Sequence, residues 1–193
     1  MLSNSPLTIQ GWIKATFPGW LLGVVFILLL SSLLDSVGIE HMQFYLGVGM
    51  GTGVGFTQWI FLKKVINMDA RWMLHSIVGM GFPFLIVDLF PEEMITHKIA
   101  TGITMGALTT GALQHLLLKN HTKNALLWIP FSFMGWTMGV LTVFTIDYTM
   151  ALKPILSNNL LLALINLLLI LGGGIVLGLI SGFFWKYIDT SSK

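Results

Sequence analysis

Six stretches of about twenty mostly apolar residues, separated by short polar or turn-forming runs, set the terms on which this chain can fold. They run roughly over 17–35, 42–62, 71–90, 98–118, 125–146 and 160–185. The breaks are Asp35 to His41, Lys63 to Ala70, Pro91 to His97, Lys119 to Asn124 and Asp147 to Asn159. Only 9% of the 193 residues are charged, against about 25% in an ordinary soluble domain, so a water-soluble fold would expose broad apolar patches. In lipid, backbone amides and carbonyls must pair within their own segment, which makes each stretch a helix. The expected fold is all-α, an integral membrane six-helix bundle forming one domain over residues 1–193.

Lys14 and the run from Phe17 to Leu34 resemble a signal peptide. That run is long for one, however, and the Ser-Ser-Leu-Leu-Asp-Ser that ends it has no small-x-small cleavage site. It is read as a retained first helix. Ile9, Trp12, Ile13 and Thr16 share one helical face, which predicts a short interfacial helix ahead of it.

Charge orients the bundle. Lys14, Lys63, Lys64, Arg71, Lys119, Lys123, Lys186 and Lys193 fall on one side, and only Lys98 and Lys153 on the other. The positive-inside rule makes the first side cytoplasmic, with both termini, as in a multipass protein of the bacterial inner membrane. Asp35, Glu40, Asp88, Glu92, Glu93 and Asp147 fall outside. Trp12, Trp20, Trp59, Trp72, Trp128 and Trp185 fall near the cytoplasmic interface, where such rings are favoured. The basic residues form no stripe of the kind that binds nucleic acid. With no cysteine, disulfides and thiolate chemistry are excluded.

An internal repeat relates residues 41–89 to 97–145. A shift of 56 positions pairs His41 with His97, Gly55 with Gly111 and Gln58 with Gln114. It also pairs Trp72 with Trp128, Ser76 with Ser132 and Gly79 with Gly135, as expected of duplicated helical hairpins. A looser threefold reading matches Trp20, Trp72 and Trp128 at the starts of the odd segments, and Asp35, Asp88 and Asp147 at their ends. Its Gly-rich even segments close in Gly55-x-x-Gln58-Trp59, Gly111-x-x-Gln114-His115 and Gly182-x-x-Trp185-Lys186.

Few side chains are candidates for chemistry. Gly47, Gly51 and Gly55 share a face, as do Gly174, Gly178 and Gly182; small faces let helices approach closely within the chain or against partner membrane proteins. Gly49 and Gly53 lie on another face, where the helix either packs or unwinds beside a ligand. Gln58 and Gln114 sit a turn before their helix ends and need partners in lipid. They either bond neighbouring helices or, with Trp59, His75 and His115, line a ligand pocket at the inner boundary. Asp35, Glu40, His41, Asp88, His97 and Asp147 gather at the outer ends, as a cation-attracting mouth or as acids left outside by the lysine bias. No spacing suits a metal, no cofactor motif is present and no catalytic residue is assigned. The spans carry almost no charge at mid-depth, which speaks against a proton relay.

The segment ending in Gln58-Trp59-Ile60-Phe61-Leu62-Lys63-Lys64 resembles bacterial multipass membrane proteins that repeat a Gly-rich helix closing in Gln-Trp-aliphatic-basic. The resemblance covers the second to fifth segments and more weakly the sixth; the second copy has His115 in place of the tryptophan. It implies duplication and a membrane location, with no particular activity. In size and helix count the chain is also similar to the substrate-binding subunits of vitamin importers of the energy-coupling-factor type, and Ala15, Gly19 and Gly23 give its first helix a small-residue face like theirs. The expectation is a small ligand-binding or transport-associated module in the lipid bilayer. The alternative is a non-catalytic accessory subunit packing on partners through its glycine faces; a lipid-modifying enzyme ranks below both.

Overall fold

The computed structural model describes residues 7–39, 42–91, 93–149, 151, 153 and 159–187. Its α-helices are α1 (Ile9–Ser36), α2 (Phe44–Ile66), α3 (Arg71–Asp88), α4 (Lys98–Leu118), α5 (Trp128–Thr149) and α6 (Asn159–Gly182), and no strand occurs among the described residues. A 3-10 turn precedes α5 at Ala125–Leu127 and another follows α6 at Phe183–Lys186. Each helix runs antiparallel to the one before it, and α6 packs back on α1, so the six close into a ring. One end, here the basic end, carries Lys14, Lys64, Arg71, Lys119 and Lys186; the other, the acidic end, carries Asp35, Asp88 and Asp147.

α1 is a single helix that passes through Pro18 and extends back to Ile9, where Thr8 caps it by accepting the Gly11 amide at 3.0 Å. Proline removes one backbone bond there. The turn before it is held by packing, since Trp12 and Thr16 are wholly buried against the ring. The face read as interfacial therefore points largely into the protein.

Five glycines at alternate positions let α2 touch two neighbours along its length. Gly47, Gly51 and Gly55 face α3; a Cβ on Gly51 would stand 2.5 Å from the Ser76 carbonyl oxygen. Gly49 and Gly53 face α1, where a Cβ on Gly49 would lie 2.9 Å from the Ile27 amide nitrogen. Such backbone proximity is how helices gain packing energy in an apolar solvent. Both glycine faces of α2 are thus used within the chain.

Outward-facing side chains are apolar on several sides of the ring: Leu28, Leu29 and Leu33 on α1, Val78 and Phe82 on α3, Met134 and Met138 on α5, Leu164 and Leu168 on α6. By length and composition three helices are able to cross a membrane: α1, α5 with its leading turn, and α6 with its trailing turn. α2 and α4 trade apolarity for glycine and threonine, and the 18 residues of α3 include Arg71, His75 and Asp88.

Caps fix the connections. Asn67 ends α2 in the left-handed region (φ 53°), a conformation asparagine tolerates better than most residues. At the acidic end the Asp88 carboxylate accepts the amides of Gln43 and Phe44, each at 2.8 Å, and so closes the start of α2 from the end of α3.

Candidate functional site

Inside the ring lie two aromatic layers with a polar layer between them. At the basic end Trp12, Trp72 and Trp128, all but inaccessible, meet edge to face or tilted, with ring centres 5.6–6.5 Å apart. Trp185 and Phe184 complete this plug at 4.9 Å from Trp12 and 5.2 Å from Trp128. Aromatic pairs of this geometry contribute about 0.5–1.5 kcal/mol each beyond their buried area.

The indole N–H groups of Trp12, Trp72 and Trp128 are satisfied by the polar layer, whereas that of Trp185 is buried without a partner among the described residues. Trp72 donates to Gln58 Oε1 at 3.4 Å, and Trp128 to Gln114 Oε1 at 2.8 Å. The glutamine amides reach one helix back, Gln58 to Thr16 at 3.2 Å and Gln114 to Ser76 at 2.8 Å. Trp12 donates to Ser181 of α6 at 2.9 Å. Every one of these groups is buried, so each bond also prevents an unpaired polar atom.

On the acidic side of this layer the ring opens into a cavity of about 330 Å³ to which all six helices contribute. Trp20, its N–H on the Ile170 carbonyl at 2.9 Å, stands 6.3 Å from Trp136. Met50, Met80, Phe84, Ile103 and Val140 continue the wall, which is apolar almost throughout. Beside it, and sharing Ile99 and Phe144 with it, lies a more polar space lined by Gln43, Thr96, His97 and Lys98. Gln43 Oε1 there is buried and accepts no hydrogen bond among the described residues, and the same holds for Asp88 Oδ1 nearby.

The residues singled out in the sequence fall at different levels of this arrangement. Gln58 and Gln114 are in the polar layer, away from the apolar cavity wall. Trp59 is half-buried at the basic end with Lys63 Nζ 5.2 Å from its ring centre. His75 faces α4, its Nδ1 donating to the Leu113 carbonyl at 2.8 Å, which fixes the proton on that nitrogen. The Nδ1 of His115 is buried without a partner among the described residues. Asp35 and Asp147 are exposed at helix ends, Asp88 caps α2, and exposed His97 adjoins the polar space. Glu40 and His41 lie outside the described residues.

Trp12, Trp20, Trp136, Met80 and Phe84 carry the interior but have no place among the sequence candidates. For Trp12 a signal existed: Trp12-x-x-x-Thr16-x-x-Gly19 has the spacing of Trp72-x-x-x-Ser76-x-x-Gly79 and Trp128-x-x-x-Ser132-x-x-Gly135. Met80 and Phe84 offer none, being apolar residues in an apolar span. No family model, curated protein or solved structure matches this chain.

Proposed function

We propose that the chain is a six-span protein of the bacterial inner membrane, termini in the cytoplasm, that holds an apolar or amphipathic small molecule in its central cavity as a ligand-binding or transport-associated module. One observation carries this reading: an almost wholly apolar space of about 330 Å³ lined from all six helices, closed toward the basic end by tryptophans. Its size and lining are those of small-molecule sites. The ligand's polar end belongs at Gln43, Thr96, His97 and Lys98, where the unpaired Gln43 oxygen favours a hydrogen-bond donor such as a hydroxyl or amine. Gln58 and Gln114, with Trp59, His75 and His115, stand beneath the site toward the basic end, outside its lining. The test is tryptophan quenching by a brominated long-chain alcohol, with the protein in nanodiscs. Saturable quenching is expected, and is lost when Ile103→Phe and Val140→Phe fill the space in a chain that still folds. An absence of saturable quenching in the native chain overturns the reading.

We further propose that the ring consists of three repeated helical pairs, α2–α3, α4–α5 and α6–α1, the last joined across the chain ends. The recurrence of the glutamine–tryptophan bond 56 residues apart supports it, as does Ser181, which follows Gly178 as Gln58 follows Gly55 and Gln114 follows Gly111. This alters the threefold register first drawn from the sequence: Trp12 rather than Trp20 matches Trp72 and Trp128, and Ser181 rather than Trp185 stands where the glutamines stand.

A further inference from the structure

At the basic end a second hollow of about 440 Å³ runs between α1 and α2 on the outside of the ring. Lys14 and Lys64 line it at one end, each one helical turn from an apolar wall residue, Pro18 on α1 and Ile60 on α2. Because the helices are antiparallel, both cations fall at the bundle's edge, while Ala15, Pro18, Ile60 and Phe61 line the rest of the trough. Both lysines are exposed, and neither forms an ion pair among the described residues, where Asp69 pairs with Arg71 instead. Pro18 has no N–H, so the Lys14 carbonyl beside the groove lacks its usual helical donor.

We infer that this groove binds an anionic glycerophospholipid, its phosphate between Lys14 and Lys64, a headgroup hydroxyl on the Lys14 carbonyl and an acyl chain against Pro18 and Ile60. Two cations over an apolar trough complement a molecule with an anionic head and a hydrocarbon tail, and basic clefts at the cytoplasmic face of membrane bundles select such headgroups. The inference rests on the membrane reading but not on a ligand in the central cavity, from which the groove is separate.

The experiment is native mass spectrometry of the full chain extracted from membranes, with phosphatidylglycerol or phosphatidylcholine of the same acyl chains. One phosphatidylglycerol is expected to stay bound at collision energies that strip phosphatidylcholine. Lys14→Gln and Lys64→Gln should each weaken retention about five-fold. Lys123→Gln, at the same end but off the groove, should leave it unchanged. Ala15→Leu, which narrows the trough without altering charge, should also weaken it; if that variant misfolds, the lysine variants still decide. Equal retention of both lipids, or an equal loss in Lys123→Gln, overturns the inference. So does displacement by excess inorganic phosphate, which would mark a site for the free ion. Protein recovered in the soluble fraction would instead refute the membrane reading beneath it.

Discussion

Gln58 and Gln114 each accept from a tryptophan on the next helix and donate to a hydroxyl on the preceding one. Replacing Gln114 by Leu leaves the buried Trp128 N–H unpaired, at a cost of about 1–3 kcal/mol, and removes the donor to Ser76, whose hydroxyl keeps its own bond to the Trp72 carbonyl. Gln114→Leu should therefore lower the melting temperature in detergent, while Trp128→Phe in the same background should recover part of the loss by deleting the stranded donor. Additive losses in that cycle would show that the pair is not coupled. Quenching by the brominated alcohol should survive in each variant that folds, because neither glutamine lines the cavity. The need of these amides for partners was legible from their scarcity in apolar segments. The identity of the partners was not, because residues 14 apart meet only when a hairpin folds, and buried tryptophans look the same in sequence as interfacial ones.

Among the elements, α2 is the one whose sequence most narrowly fixes its neighbours. Gly53 lies against the backbone of Gly19 and Gly23 on α1, with no room for a side chain, whereas a Cβ on Gly172 of α6 meets nothing within 4 Å. Gly53→Leu should abolish recovery of monodisperse protein, and Gly172→Leu should not; equal recovery of both would mean that the α1–α2 contact is dispensable. The pattern of alternate glycines was legible, but its division between two partners was not, because spacing alone assigns a face without saying what covers it. At the turn into α3 the Asp69 carboxyl is held below its ordinary value, first by the Arg71 backbone amide and then by the Arg71 side chain. A lowered folded value means that its contribution is present above the unfolded carboxylate range and fades as the pH falls through the folded one. Asp69→Asn should therefore remove acid sensitivity from hydrogen exchange at the first turn of α3; an unchanged pH profile would put that sensitivity elsewhere. The threefold register yields a sharper test. If Ser181 stands where the glutamines stand, Ser181→Gln should be accepted with an unchanged or raised melting temperature, its amide reaching Ser132 as Gln114 reaches Ser76. Leu177→Gln, one turn away and also buried, should destabilise the protein. Equal losses in the two variants would refute the repeat across the chain ends.

For the whole molecule, the ring is closed at the basic end and hollow toward the acidic end, so under the proposed function the side of the membrane each end faces decides where a ligand would enter. The argument for orientation is electrostatic. Lysine and arginine collect at the end bearing the first described residues, the 67–70 and 119–124 connections and Lys186, while Asp35, Asp88 and Asp147 collect opposite. Three helices meet a spanning criterion on their own; the other three lie in the same closed ring, with Phe82 of α3 and Leu108 of α4 exposed at its outer face. If all six span, cavity and polar mouth open outward and the tryptophan plug faces the cytoplasm. The chain has no cysteine, so single cysteines report without background. In intact cells an impermeant maleimide should label Ser36→Cys and Thr96→Cys but not Asn67→Cys or Lys123→Cys, and the last two should react only after lysis. The reverse pattern would keep the fold but turn the mouth inward. Labelling of Ser36 and Thr96 from opposite sides would mean that α2 and α3 do not both cross, since those two positions are separated by that hairpin alone.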